Sequence, residues 1–145
     1  MCSYCGCQSI TVIGRFMAEH DDVVNALTAL RAACAAEDGA ATVAAVHVMA
    51  ELLHPHTHAE EVGLFAVMGE DEEFHDHIGV LCGEHRHLDD LLDELAAGGF
   101  GRFEAFEVAL RAHIEKEDNG LFPAAAIALS GPDWDRVDAL TPPPR

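Results

Sequence analysis

The stretch Pro55-His56-Thr57-His58-Ala59-Glu60-Glu61-Val62-Gly63-Leu64-Phe65 decides the fold, because its pattern returns in Ala112-His113-Ile114-Glu115-Lys116-Glu117-Asp118-Asn119-Gly120-Leu121-Phe122. Both read H-x-x-x-[acid]-[acid]-x-G-L-F. A histidine and a carboxylate four residues apart fall on one face of an α-helix, where a turn takes 3.6 residues. The apolar neighbours keep the same period. Met49, Leu53, His56, Glu60 and Leu64 make one stripe, and Phe103, Phe106, Leu110, His113, Glu117 and Leu121 make another. A shorter echo pairs Glu19-His20 with Glu84-His85, on the stripes Ile13, Phe16, His20, Leu27 and Ile78, Leu81, His85, Leu88, Leu92. The chain therefore reads as two helical hairpins related by duplication, each with one Glu-His helix and one His-x-x-x-Glu helix.

Working outward, helix-ending clusters stand at Glu37-Asp38-Gly39, Met68-Gly69-Glu70-Asp71, Gly98-Gly99-Phe100-Gly101 and Ser130-Gly131-Pro132. No stretch alternates with period two for long enough to make a strand, so the class is all-α. The spacing predicts four long helices over Ser9 to Ala36, Ala41 to Met68, Glu73 to Ala97 and Arg102 to Leu129. Their short connections favour an up-down-up-down antiparallel four-helix bundle. Residues 1–9 read as a cysteine-containing leader, 10–129 as the bundle and 130–145 as a cap and Pro-rich tail, with Trp134 laid on the bundle end by one turn around Asp133-Val137.

In antiparallel helices joined by a tight turn, residues equidistant from the turn lie at one height. The midpoints of His20 and His56, of His56 and His85, and of His85 and His113 fall on Asp38, between Glu70 and Asp71, and on Gly99. All three are predicted turns, so four histidines share one level, roughly 21 to 27 Å from the connections at 1.5 Å per residue. They occupy core positions, and Glu60 and Glu117 follow one turn behind their histidines. Burying such a set without cations costs several kcal/mol per unpaired charge, and the chain has only 8 basic residues against 26 acidic ones. A metal site follows on His20, His56, Glu60, His85, His113 and Glu117. Six convergent donors and two carboxylates able to bridge point to two ions. Nitrogen and carboxylate ligands together select first-row transition metals over calcium or magnesium.

The net charge of −18 repels phosphate backbones and anionic membranes, which sets nucleic acid aside as a partner. No apolar run reaches the roughly 18 residues of a membrane span, and Met1-Cys2-Ser3-Tyr4 is not the basic start of a secretory signal. Five cysteines, an odd number, suit a reducing cytoplasmic setting. Cys2, Cys5 and Cys7 form three-quarters of a closed zinc site. They read as a reduced tail or as a contact for an electron donor or signalling partner. Cys34 and Cys82 read as packing residues, and His75, His77 and His87 as surface residues. A rival register would turn His54, His58 and Glu61 inward, but that stripe includes His47 and Glu51 and is less apolar. His58, Glu61 and Asp118 are better suited to hydrogen bonds that orient ligands. Pro55 removes a helical amide beside His56.

Taken together, Glu19-His20, Glu84-His85 and the two H-x-x-x-E segments ending in Leu-Phe, the second followed by Pro123, resemble the hemerythrin-like (HHE cation-binding) domains. The resemblance covers about residues 10 to 129. It implies two non-haem iron ions, bridged by oxo or hydroxo and carboxylate groups. The ligands it implies are His20, His56, His85 and His113, with Glu60 and Glu117 bridging and a position open to dioxygen, peroxide or nitric oxide. The chain departs from the oxygen-carrying hemerythrins where their third helix has a second histidine one turn on, since His85 is followed by Asp89. Asp118 stands five residues after His113, where those carriers place a bridging aspartate, so it competes with Glu117; the repeated Glu60 spacing favours Glu117. The resemblance thus implies a protein that binds dioxygen or peroxide and transfers electrons to it. The alternatives are an oxygen, nitric oxide or iron sensor without turnover, or iron storage and delivery.

Overall fold

Residues 10–144 are described by the computed structural model, and the expectations for Cys2, Cys5 and Cys7 lie outside them. Helix α1 spans Thr11–Ala35 and α2 spans Gly39–Val62. The turn between them closes because Glu37 adopts a left-handed backbone (φ 51°), letting the Asp38 amide reach back to the Ala33 carbonyl at 3.1 Å. Asp38 then caps α2, its carboxylate accepting from the Ala41 amide at 3.0 Å. One short acidic turn thus ends one helix and starts the next. Asp71 does the same for α4 (Glu72–Ala96), accepting from the Glu73 amide at 2.9 Å. After α4 the chain turns at Gly98, whose φ of +99° suits glycine, and enters α5 (Phe103–Lys116) through a 3-10 turn over Phe100–Arg102.

Two of the four expected helices are interrupted. The second breaks at Gly63 (φ −109°, ψ −93°) and resumes as α3, Leu64–Met68. The fourth passes from α5 through a π-helical turn, Glu117–Leu121, into α6, Phe122–Ala128. The interruptions fall at equivalent places in the two repeats, ahead of a buried phenylalanine in each. Phe65 and Phe122 each stand nine residues after a histidine, which in an unbroken α-helix at about 100° per residue is the opposite face. In the fourth arm the π turn, wider than an α turn, takes up roughly 90° of that rotation, and in the second the non-helical backbone of Gly63 interrupts the helix instead. Phe65 and Phe122 are accordingly buried beside the histidines rather than turned to solvent.

The capping turn expected around Trp134 is a longer helix, α7 (Gly131–Leu140), opened by a reciprocal capping box between Ser130 and Asp133. Trp134 packs against the apolar cluster of Ile13, Phe16, Phe65, Phe122 and Val137. A second cluster, with Leu27, Leu30, Met49, Leu53, Leu92 and Phe106, fills the other end of the core. Helices α1, α2, α4 and α5 pack around these clusters as a ring of neighbours. Cys34 is buried in the second cluster and Cys82 is half-buried against the first, both as packing residues. Between the clusters the core is polar. No helix among the described residues is long and apolar enough to cross a membrane.

Candidate metal centre

Each long helical arm delivers one imidazole to the polar layer: His20 from α1, His56 from α2, His85 from α4 and His113 from α5. All four are buried, with 2–3% of their surface exposed, and Glu60 and Glu117 are completely enclosed between them. The two carboxylates are shared across the hairpins. Glu60 lies 3.3 Å from Nε2 of both His56 and His85. Glu117 lies 2.9 Å from Nε2 of His20 and 3.2 Å from that of His113. Two overlapping clusters result, His20-His56-Glu60-Glu117 and Glu60-His85-His113-Glu117, each with its ligand atoms within 4.8 Å of one another.

The outer nitrogens are fixed by a second ring of carboxylates. Nδ1 of His20 meets Asp118 at 2.8 Å, that of His56 meets Glu19 at 2.8 Å, that of His85 meets Glu61 at 2.6 Å, and that of His113 meets Glu84 at 2.8 Å. Because a carboxylate accepts, each imidazole donates Nδ1–H outward and turns Nε2 toward the centre. The pattern obeys the duplication. The acid before a histidine (Glu19, Glu84) holds the histidine of its hairpin partner, and the acid five residues after a histidine (Glu61, Asp118) crosses to the other hairpin. The ring pairs repeat as well: His20 and His56 have centroids 4.7 Å apart at 64°, and His85 and His113 4.7 Å apart at 65°. Phe122 stacks on His20 at 5.9 Å and Phe65 on His85 at 5.6 Å.

The electrostatics are those of imidazoles packed against buried carboxylates. Burial disfavours a charged imidazole, yet the hydrogen bond to Asp118 and the close Glu117 carboxylate outweigh it and raise His20 to about 9. Burial is likewise overcome at His56, where the Glu60 charge and the Glu19 hydrogen bond raise the ring to about 10. His85 and His113 are also raised against burial, chiefly by Glu60 and by Glu117 respectively. Burial would lift Glu117, but His113 and His20 hold it well below the usual carboxylate range.

The donor set fits metal ions on a separate ground. Nε2 of His20 and His56 and all four carboxylate oxygens of Glu60 and Glu117 are buried in close ion-pair contact with one another, yet none makes a well-aligned hydrogen bond among the described residues. The Nε2 atoms of His85 and His113 face each other at 3.0 Å, and with both Nδ1 atoms donating outward the two rings, once they give up their inner protons, present two lone pairs to one point. Buried polar atoms are normally paired. A cation accepting from these nitrogens and oxygens together satisfies every one of them.

All six residues expected to converge do so. Glu61 and Asp118 stand on outer nitrogens, as orienting groups, and Glu117 rather than Asp118 lies between the two histidine pairs. His58 is exposed and outside the cluster. The face of the rival register is also outside: His54 is exposed and pairs across the surface with Asp89 at 2.9 Å. His75, His77 and His87 are exposed. Sequence reasoning missed the roles of Glu19 and Glu84, which contact a neighbouring helix, and of Phe65 and Phe122. Their signal was the repeat itself, which carries all four at matching positions. A family model described as the hemerythrin HHE cation binding domain matches residues 11–125. Searches of the curated proteins and of the solved structures returned no match.

Proposed function

Because the chain belongs to the hemerythrin HHE cation-binding family, we propose that it is a non-haem di-iron protein that binds and redox-processes dioxygen or hydrogen peroxide. In this reading the packed arms form an up-down-up-down four-helix bundle. His20 and His56 would hold one iron and His85 and His113 the other, with Glu60 and Glu117 within reach of both. The observation that carries it is the sharing of two fully buried carboxylates between two histidine pairs. Imidazole nitrogen with carboxylate oxygen suits iron and its neighbours rather than calcium or magnesium. When bound, an iron pair supplies the redox couples that pass electrons to a small oxygen species.

The protein's own contribution is to orient and to exclude water. The four Nδ1–H donations fix ring planes and keep the inward nitrogens free of protons once metal is present. Glu19, Glu61, Glu84 and Asp118 add negative charge one shell out, which favours cations in the centre. Phe16, Phe65 and Phe122 line its apolar side, Phe16 edge-on to His56 at 5.5 Å and stacked on Phe122 at 6.2 Å. Each half offers only two histidines beside the shared carboxylates, so an ion held there would keep a coordination position for a small exogenous ligand.

Metal analysis after iron-replete expression, with the optical spectrum of the aerobic protein and a peroxide-consumption assay, tests the proposal. Two irons per chain and peroxide turnover are expected. One zinc and no iron would overturn the di-iron reading. Two irons with reversible binding of dioxygen or nitric oxide but no turnover would shift it to a sensing or binding module.

A further inference from the structure

The duplication is broken at one point beside the centre. On the second hairpin, Glu84 holds His113 and is itself paired with Lys116, a half-exposed side chain on the helix of His113. On the first hairpin, Glu19 holds His56 and is paired with Arg15, whose Nε donates to Glu19 at 3.1 Å. Arg15 does more than its counterpart. Its Nη1 donates to the Pro142 carbonyl at 2.6 Å, and its guanidinium lies 5.5 Å over the Phe16 ring. The position in the second hairpin that matches Arg15, four residues before the Glu-His pair, is the exposed Val80.

The segment that Arg15 grips is anchored a second time. The Thr141 hydroxyl donates to the Val137 carbonyl at 2.6 Å and sits against Gly63, where a Cβ would lie 2.2 Å from Oγ1. Only glycine lets the chain return so close to the break between α2 and α3. The Thr141–Pro144 segment thus closes one side of a cavity of about 430 Å³ whose other walls include Arg15, Glu19, Leu52 and His56. Three successive prolines restrict the backbone there, so the docked form loses little conformational entropy.

We propose that Arg15 is a positioning residue for His56, linking the docked Thr141–Pro144 segment to the Glu19 carboxylate and so fixing the ring of one histidine pair but not the other. The chain of contacts is continuous: Pro142 carbonyl, guanidinium, Glu19, Nδ1–H of His56. A guanidinium holds two acceptors in fixed directions at once, which an ammonium on a flexible stem does not. The consequence for bound metal rests on the di-iron reading; the effect on the His56 imidazole does not.

The test compares wild type with Arg15→Met, Arg15→Lys, a variant lacking Pro142, Pro143 and Pro144, and Lys116→Met. In metal-free protein, solvent exchange of the His56 Nδ1–H, followed by nitrogen-15 NMR, is expected to quicken about tenfold in Arg15→Met and in the deletion, as weakening of one hydrogen bond to a charged group implies, with that of His113 unchanged. Arg15→Lys restores part of the protection, and Lys116→Met moves His113 instead. Unchanged His56 exchange in both Arg15→Met and the deletion overturns the proposal, as does equal quickening of His56 and His113. The deletion leaves Arg15 intact, so it decides the matter should Arg15→Met fold poorly. In iron-loaded protein the same two variants should release one of two irons to a chelator faster than wild type. A wild type that holds no iron pair would refute the di-iron reading and leave the NMR result to decide the coupling.

Discussion

Loading the metal-free protein with two equivalents of cobalt(II) at pH 7.5 is expected to expel at least about two protons, because the imidazoles must surrender Nε2 to the metal. With His20 at about 9 and His56 at about 10, both rings are more than roughly 95% protonated at that pH. These two alone therefore supply about two protons, and His85 and His113, raised by the same carboxylates, add to the count. Two ordinary imidazoles at 6.5 would give only about 0.2. Calorimetric titration in buffers of different ionisation enthalpy measures the number directly. The sign of the stability change follows from the same values. A raised histidine contributes stability that is whole below about pH 6.5 and lost as pH rises through about 9 and 10, while Glu117 contributes stability that is lost as pH falls below 4.5 toward its depressed value. The metal-free protein should melt highest between about pH 4.5 and 6.5 and progressively lower above it. The metal-loaded protein should gain on it over that same rise. Uptake of two cobalt ions with release of less than one proton would refute the reasoning, since it would mean that the buried carboxylates do not hold these rings charged.

Three further outcomes are expected. His56→Ala should lose one of two metal equivalents, whereas His54→Ala, on an exposed ring paired only across the surface, should keep both and alter stability by less than about 1 kcal/mol, as read by metal analysis and thermal melting. Phe16→Ala, at a completely buried ring, should cost about 3 to 5 kcal/mol in denaturant unfolding. Ser130→Ala removes one arm of the capping box and should cost about 1 kcal/mol, with faster amide exchange at the start of α7.

The height of the four histidines was legible because short connections between antiparallel helices leave no freedom: once Asp38 and Gly99 are turns, His20 must lie level with His56 and His85 with His113. The inward direction of Glu60 and Glu117 was legible for a similar reason, since apolar residues precede and follow them at helical spacing. What periodicity could not show is the break at Gly63 and the π turn at Glu117–Leu121. Both preserve the apolar pattern while rotating what comes after, and so Leu-Phe reads as an ordinary pair. Nor could it assign Glu19 and Glu84, which lie off the apolar stripe and act on the adjacent helix. The docking of Thr141–Pro144 depends on contacts between residues more than a hundred positions apart, such as Arg15 with Pro142. Only the folded chain brings these together.

The crossing of carboxylates between hairpins means that neither repeat owns its half of the centre. Asp118 from the second repeat steadies His20 in the first, Glu61 from the first steadies His85 in the second, and each enclosed glutamate touches both. A hairpin taken alone would retain two imidazoles and one inner acid but lose the other inner acid and the one outer carboxylate that crosses to it. The centre is in this sense the seam of a dimer whose halves have been joined into one chain. A substitution in one repeat then changes the grip on metal in the other, and metal affinity becomes a gauge of how tightly the two repeats are closed on each other.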